Sequence, residues 1–346
     1  MDAYHDVISV TILTAIYLSK LANRMASTES TTMEDAKEIH TCLKTAAGMF
    51  DYARDHLISE LDKSVSLESH SWSDLDPRIL DTYKIQCQAE LLEITIARAI
   101  KLEHNPHLIA SLAQECQKLF KGGLEKLESV DKSDEEKVEK WQFYLLLKQQ
   151  IYSAIAYAYY GWAIRAEDKM SGYGAAYLAS AVSILKLAQS KTSKTYNRTA
   201  GAGSDCKPNE HPFFFKVKDD VVSMHKDADR DRQMVYGMPL PADGALPDPQ
   251  YKNEVSKLYQ VEAFKFPERS PIWTKDVYDQ FYLSKEVDTG LGSQLMVGLS
   301  LKRKPRTDVD AATEKFKSDK SKFKEPVKVY KEKDIKIKSN LECSVM

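Results

Sequence analysis

The last seven residues, NLECSVM, carry the clearest chemical signal in the sequence. Cys343 stands four residues from the carboxy terminus, where a cysteine followed by two tolerated residues and a closing methionine fits the C-a-a-X prenylation signal. Methionine at the final position favours farnesyl over geranylgeranyl. The sequence therefore predicts a covalent farnesyl group on Cys343. The competing interpretation is a cysteine in this place by chance, because Ser344 is not aliphatic and the motif is short.

Other patterns with catalytic or metal-binding potential fall short of their motifs. The stretch HNPH at 104–107 lacks the H-E-x-x-H spacing of a zinc site. The stretch DADRDR at 227–232 begins like a calcium loop, but Arg232 and Met238 stand where that loop needs a glycine and an acid. The five cysteines form no C-x-x-C pair, which favours a reducing compartment such as the cytosol. We expect no catalytic residue, no metal and no cofactor beyond the lipid.

The composition indicates a helical body. The chain has 346 residues, 43% apolar and 29% charged, enough to bury one large core or two modest ones. Its 13 glycines and 12 prolines lie largely after residue 200, so the first two thirds are nearly free of helix breakers. The apolar stretch at 7–18 follows Asp2 and Asp6 and contains polar residues, which favours an amphipathic helix over a signal peptide or a membrane span.

Apolar residues recur at helical spacing through the first two hundred residues. Thr31 or Thr32 is a plausible N-cap, and Pro77 and Pro106 suit the first position of a helix. The predicted helices cover residues 1–25, 31–57, 77–104, 106–123, 138–169 and 177–187. Antiparallel pairs of this length predict an all-α solenoid of the tetratricopeptide type, whose concave groove can bind helices or extended peptides.

The last third has a different character. Six prolines between residues 237 and 273 favour an extended segment that wraps over the surface. From 302 to 340 there are fourteen Lys or Arg against seven Asp or Glu, which predicts a basic, flexible tail that leads to the cysteine.

Four stretches together resemble the BRO domain of the Alix family, in order over most of residues 1–285. They are CLKTAAGMF, IQCQAELLEITIARAIKLEHNPHLIASLA, RQMVYGMPLP and SPIWTKDVYDQFYLSK. The terminal C-a-a-X signal is similar to that of a small member of the family. The resemblance implies a boomerang-shaped BRO domain over 1–285 and a flexible basic tail over 286–346. Met1 aligns inside the family's domain, so the resemblance also implies that the first quarter to third of that domain is absent here.

The resemblance further implies a partner. In the family, the concave face binds the amphipathic C-terminal helix of an ESCRT-III subunit of the charged multivesicular body protein type. Lys44 matches a basic groove residue, whereas His40 stands where a relative has an acid. The other positions carried over are the anchors Leu108 and Leu112, Thr95 with Ile96 in place of an aromatic, and Tyr236. The alternative interpretation is that both leucines are ordinary core residues.

A single lipid chain gives only marginal membrane binding, and the charge beside Cys343 is nearly balanced. We therefore expect the partner to supply the second attachment, at the cytoplasmic face of endosomes or the nuclear envelope, with a cytosolic pool. Two other functions stay open on the sequence. One is a prenylated signalling adaptor for a small GTPase or a proline-rich protein, and the other is a fragment with no binding role.

Overall fold

The computed structural model describes residues 3–27, 32–60, 75–130, 135–165, 167, 170–200, 212–242, 246–251 and 255–266. Apart from Phe266, these belong to one compact unit. Within them every regular element is helical, which confirms the all-α class. Cys343, the 286–346 tail and the boundary predicted at 285 lie outside the described residues.

Eight α-helices follow one another along the described chain. They are α1 (Ala3–Ala26), α2 (Met33–Tyr52), α3 (Pro77–Lys101), α4 (Pro106–Glu128), α5 (Glu135–Ile164), α6 (Ser171–Leu187), α7 (Ser193–Ala200) and α8 (Pro212–Asp231). Short π-helical turns extend three of them, at Ala53–Leu57, Ala188–Thr192 and Arg232–Tyr236. Each of the first six helices packs on its neighbours in sequence, as expected of a helical stack.

The starts of three helices confirm the capping signals in the sequence. Thr32 and Asp35 form a reciprocal capping box at the start of α2, with the Thr32 side chain accepting from the Asp35 backbone N–H. Asp76 and Asn105 cap α3 and α4, each followed by proline at the first helical position. These boundaries depend on local hydrogen bonds, which is why sequence alone finds them.

Two other predicted boundaries are wrong. Helix α4 does not end at the Gly122–Gly123 pair but continues to Glu128. A Cβ placed at Gly123 would lie 3.5 Å from Leu145 Cδ1 and 3.6 Å from Ile85 Cγ2, so this glycine lies at a close contact between helices. Helix α6 begins at Ser171, six residues before the predicted start. In both places tertiary packing overrides local propensity.

Polar contacts fix how α2 lies along α3. Lys84 Nζ is 2.7 Å from Asp51 Oδ1, and His40 Nε2 is 3.3 Å from Thr95 Oγ1. Residues later in α2 therefore lie opposite residues earlier in α3, and the two helices are antiparallel. In this antiparallel register, Arg98 lies level with Lys37, about seven residues before Lys44.

The next helices continue the alternation. Cys116 Sγ donates to the Ala89 carbonyl oxygen at 3.5 Å, and further along α4 Lys126 Nζ donates to Asp81 Oδ2 at 2.9 Å. Helix α4 therefore runs antiparallel to α3, which brings Leu108 level with the Thr95–Arg98 turn. Helices α5 and α6 approach still more closely at two glycines. A Cβ on Gly161 would lie 2.7 Å from the Gly174 carbonyl oxygen, so that crossing has no room for a larger residue.

The core lies in two main clusters. One joins α1, α2 and α3 around Ile39, Phe50 and Leu91, and the other joins α3 to α8 around Phe120 and Tyr196.

The apolar stretch of helix α1 is longer than the sequence pattern suggested. By length and composition, His5–Ala26 passes for a membrane span, and 33% of it is buried. Length and composition do not separate a core helix from a span. In this structure one face of α1 packs on α2, and Ile8, Ile12 and Ala15 lie in the core cluster that also holds residues of α3. The first helix therefore contributes to the core on that face.

Candidate functional site

Three of the six residues predicted to bind a partner, Lys44, Thr95 and Leu108, lie on one face of α2, α3 and α4. We call this the groove face and define it by five half-buried residues: His40, Lys44, Thr95, Arg98 and Leu108. His40 and Lys44 are one turn apart on α2, and Thr95 and Arg98 are one turn apart on α3. Leu108 is in the first turn of α4, at the same level.

A hydrogen bond joins the two helices at the middle of this face. The Thr95 hydroxyl donates to the Leu91 carbonyl oxygen at 3.1 Å and can accept from His40 Nε2–H at 3.3 Å. Burial lowers the pKa of His40, and the positive charges of Lys44 and Arg98 lower it further. At neutral pH the imidazole is therefore uncharged, and the net positive charge of the site comes from Lys44 and Arg98.

The apolar positions carried over from the resemblance do not share one environment. Leu108 is partly exposed and packs against the edge of the core. Leu112 is 2% exposed and Ile96 is fully buried, both within the same core cluster. Neither of these two side chains reaches the surface in this structure, so of the three only Leu108 is available to a docked helix. Leu112 and Ile96 stabilise the platform beneath it.

An extended segment bounds one end of the groove face. We call residues 255–266 the strap, and it crosses α4, α3 and α2 in turn. The Tyr259 hydroxyl donates to Glu115 Oε1 at 2.6 Å, and Gln88 Nε2 donates to the Tyr259 carbonyl oxygen at 3.0 Å. Further on, Phe264 packs edge-on against Tyr52.

The strap lies on the same helix faces as the groove residues. Glu115 is seven residues after Leu108 and Gln88 is seven residues before Thr95, so each pair lies on one side of its helix, two turns apart. The strap contains a short 3₁₀ helix, Ser256–Tyr259, and its other residues form no helix. It covers the part of the face that lies two turns away from Thr95.

Of the proline-rich region, residues 237–242 and 246–251 also form no helix, and the Pro247 carbonyl oxygen accepts from the Tyr177 hydroxyl at 2.5 Å, as expected of a segment that wraps over the helices. Pro267 and Pro271 lie outside the described residues.

Tyr236 lies on a different surface. It closes the π-helical turn after α8, and it is 50% exposed beside Met234 and Val235, which are 81% and 70% exposed. The chain then returns to α6, where the Pro239 carbonyl oxygen packs directly against Gly172. The structure therefore does not bring Tyr236 together with the residues of the groove face.

Sequence reasoning missed two contributors to the site. Arg98 was not selected, although its position one turn after Thr95 was a usable signal. The strap residue Tyr259 was also missed, because its contact with Glu115 joins positions 144 residues apart. Both depend on which helices become neighbours.

The described residues offer little for redox or metal chemistry. Cys42, Cys87 and Cys116 are free and buried, and burial raises the thiol pKa of each. A raised pKa leaves little thiolate, the reactive form. In the same part of the chain, no group of three or more His, Cys, Asp or Glu side chains could hold a metal ion.

Comparisons with known proteins agree with the resemblance. A family model for the BRO1-like domain matches residues 9–281. The Homo sapiens BRO1 domain-containing protein BROX is 34% identical over 285 residues, which is 82% of this chain and 66% of the relative. The Caenorhabditis elegans BROX homolog is 31% identical over 82% of this chain and 64% of its own length. The chain thus matches about two thirds of the length of these relatives.

Solved structures show the same fold. The ALIX BRO1 CHMP4C complex superposes with a TM-score of 0.56 and 18% sequence identity, over 73% of this chain and 62% of that chain.

Proposed function

We propose that this chain, which belongs to the BRO1-like domain family, is a non-enzymatic, membrane-tethered adaptor. In this proposal the groove face receives the C-terminal amphipathic helix of an ESCRT-III subunit of the charged multivesicular body protein type. The observation that carries it is a partly exposed Leu108 on α4 at the level of Thr95 and Arg98 on α3, with His40 beside Thr95 and Lys44 one turn further along α2.

The chemistry of the groove face suits an amphipathic helix. Leu108 offers an apolar anchor, and a leucine of the partner packed against it removes apolar surface from water on both sides. Thr95 is small, so it leaves more space for a partner side chain than an aromatic would. Lys44 and Arg98 supply positive charge at the rim, where acidic residues of the partner would be stabilised.

Support for the partner class comes from the related fold. The solved ALIX BRO1 domain is described as a complex with CHMP4C. The chain shares that fold and belongs to the same domain family, which makes a helix of this type the first ligand to test.

The membrane part of the proposal rests on the carboxy terminus. A farnesyl group on Cys343 would add about 0.8 kcal/mol for each CH₂ that enters the bilayer, which is marginal for a single chain. We therefore assign the second attachment to the partner, at endosomes or the nuclear envelope. Intact mass spectrometry of the protein from cells tests the modification, and an unmodified terminus would contradict it.

The binding part is tested by calorimetric titration of the purified chain with the C-terminal helix peptide of a charged multivesicular body protein. We expect saturable one-to-one binding, and at least a tenfold loss of affinity in Leu108→Asp, because a carboxylate would replace the apolar anchor. Lys121→Gln is the matched control, since Lys121 is on the exposed side of α4 beside Glu125.

Binding by the wild-type chain that is unchanged in Leu108→Asp would place the ligand elsewhere. Absence of any heat from the wild-type chain at high peptide concentration would contradict the ESCRT-III assignment and favour a different protein partner.

A further inference from the structure

The helical segment formed by α6, the π-helical turn and α7 is basic. It runs without a break from Ser171 to Ala200. It contains four cations and no Asp or Glu, although the whole chain has a formal net charge of −2. The cations are Lys186, Lys191, Lys194 and Arg198. They occupy about 18 Å of the second half of the segment, at 1.5 Å per residue.

Burial shows that these cations share one face. All four are exposed. The side chains buried between them and beside them are Leu185, Ala188, Thr192 and Tyr196. Those buried residues lie on the opposite side of the segment, where α6 packs on α5 and α8, and α7 packs on α5. Leu187 is 47% exposed next to Lys186. We call Leu187 and the four cations the basic face.

The acids of α8 do not neutralise the basic face. In the part of the chain that the structure describes, none of its four cations takes part in an ion pair. Three acids of α8 pair with arginines outside the face, and these pairs are Asp227 with Arg230, Asp229 with Arg232 and Asp231 with Arg165.

The remaining acids of the helices packed against the segment also make no ion pair with it. Burial raises the pKa of Tyr159 on α5, and the charge of Asp220 adds to the shift, so Asp220 lies beside α5. Asp219 on α8 and Glu139 on α5 are exposed, and neither pairs with a cation of the basic face. The face therefore presents its positive charge to solvent.

The composition of the basic face favours an anionic lipid surface as its ligand. Three of its cations are lysines, which act as hydrated point charges and lack the planar fork with which arginine binds single carboxylates or phosphates. Tyr196, the aromatic residue of α7, is 1% exposed, so the bases of a single-stranded nucleic acid would find no ring to stack on. An exposed leucine beside lysines is typical of helices that lie in the headgroup region of a bilayer.

We propose that the basic face is a membrane-contact surface, which lies along a bilayer containing anionic lipids. The cations lie near the headgroups, and Leu187 enters the interface. This inference goes beyond the proposed function, because it requires neither the partner in the groove nor the farnesyl group on Cys343. It adds a third weak contact, which orients the helical body on the membrane.

The test uses the full chain without its lipid, made in bacteria, and vesicles of phosphatidylcholine alone or with about 30% phosphatidylserine. Flotation at about 50 mM and 300 mM salt measures the bound fraction. We expect binding to the phosphatidylserine vesicles at low salt, much weaker binding at high salt because exposed charges are screened, and none to phosphatidylcholine alone.

Variants locate the contact. Lys191→Gln combined with Lys194→Gln should lower binding at least tenfold, because two charges are removed next to the lipid surface. Leu187→Ser should lower it about threefold. The matched control is Lys118→Gln combined with Lys121→Gln, which removes the same charge from exposed positions of α4 and should bind as the wild-type chain. Circular dichroism checks that each variant is folded.

Three outcomes would overturn the proposal. Equal losses in the two double variants would show that binding follows net charge or the basic tail. Equal binding of the wild-type chain to both kinds of vesicle would show that anionic lipid is not recognised. Binding to an RNA oligonucleotide that is tighter than binding to vesicles, and is lost in the Lys191 and Lys194 variant, would assign the face to nucleic acid. None of these results bears on the proposed function, because no ESCRT-III peptide is present.

Discussion

Two leucines four residues apart on α4 differ in what they can do. Leu108 is partly exposed at the edge of the core, and Leu112 is 2% exposed inside it. The sequence shows only that both belong to an apolar helix. Which of them faces the surface depends on how α4 rolls against α3 and α5.

This difference predicts a large loss of stability from one substitution and a small loss from the other. Leu112→Asp should lower the free energy of unfolding by about 3–5 kcal/mol, because it places a carboxylate in the core. Leu108→Asp should cost much less stability, since the carboxylate can reach water. Urea denaturation followed by circular dichroism measures both. Equal losses in the two variants would mean that Leu108 is also a core residue and would remove the anchor.

A buried carboxyl group makes the fold sensitive to pH. Glu90 is 3% exposed, and its oxygens accept from Gln86 Nε2 at 2.7 Å and Asn23 Nδ2 at 3.1 Å. Burial raises the pKa of Glu90 to about 7, with the nearby Glu93 adding to the shift. The folded protein therefore holds a proton on Glu90 at a pH where the unfolded chain has released it.

The sign of the pH effect follows from that difference. Because the folded state binds the proton more tightly, stability is greatest at low pH and falls as pH rises from about 4.5 to about 7, by about 3 kcal/mol from this group. Glu90→Gln should abolish this part of the slope and stabilise the protein at pH 8, since Asn23 can turn its amide to accept the new N–H.

Urea midpoints across pH 4 to 8 measure the difference between wild type and Glu90→Gln. The exposed Glu125→Gln on α4 is the control and should keep the wild-type slope. A Glu90→Gln profile parallel to wild type would show that the pKa of Glu90 is the same in the folded and unfolded states and would contradict the raised value.

At the scale of the elements, glycines mark where helices touch. Gly161 on α5 and Gly174 on α6 face each other, and a Cβ on Gly161 would lie 2.7 Å from the Gly174 carbonyl oxygen. That atom belongs to the backbone of a packed helix and cannot move alone. Gly122 on α4 is also inside a helix, but a Cβ there meets nothing within 4 Å.

Replacing each glycine with alanine compares the cost of a close contact between helices with the gain in helix propensity. Gly161→Ala should destabilise the protein by about 1–3 kcal/mol because α5 and α6 must move apart. Gly122→Ala should stabilise it by about 0.5–1 kcal/mol, since alanine is the better helix former. Differential scanning calorimetry reports both. A Gly161→Ala variant as stable as Gly122→Ala would show that the α5–α6 crossing tolerates a methyl group.

The same contrast explains how far the sequence could predict the fold and the site. The caps at Thr32, Asp76 and Asn105 depend on side chains within three residues of the helix start. The sequence therefore predicted the start of α2 from Thr32, and the starts of α3 and α4 from the prolines that follow Asp76 and Asn105. The end of α4 was not, because a local glycine pair signals a stop and the packing of Gly123 between α3 and α5 explains the continuation. Arg98 was missed because its place opposite α2 depends on the register between two helices.

At the scale of the whole molecule, two weak attachments are expected to act as one strong one. A single prenyl chain binds membranes marginally, and a groove with one apolar anchor and two cations is expected to bind a helix modestly. In the proposed arrangement the partner is assembled on a membrane, and a farnesyl group on Cys343 would hold the groove face near it. The second binding event is then governed by effective concentration, and avidity can exceed either affinity by a factor of about 10² or more.

This coupling predicts the behaviour of three variants in cells. Cys343→Ser should release most of the protein from membranes, and Leu108→Asp should lower the membrane-bound fraction although its terminus is still prenylated. The double variant should be cytosolic. Flotation of membranes with quantitative blotting measures each fraction, and mass spectrometry confirms that Leu108→Asp retains the lipid. Full retention of Leu108→Asp on membranes would mean that the lipid and the basic tail suffice without the partner. Retention of Cys343→Ser would mean that the partner suffices without the lipid, and either result would contradict the coupled attachment.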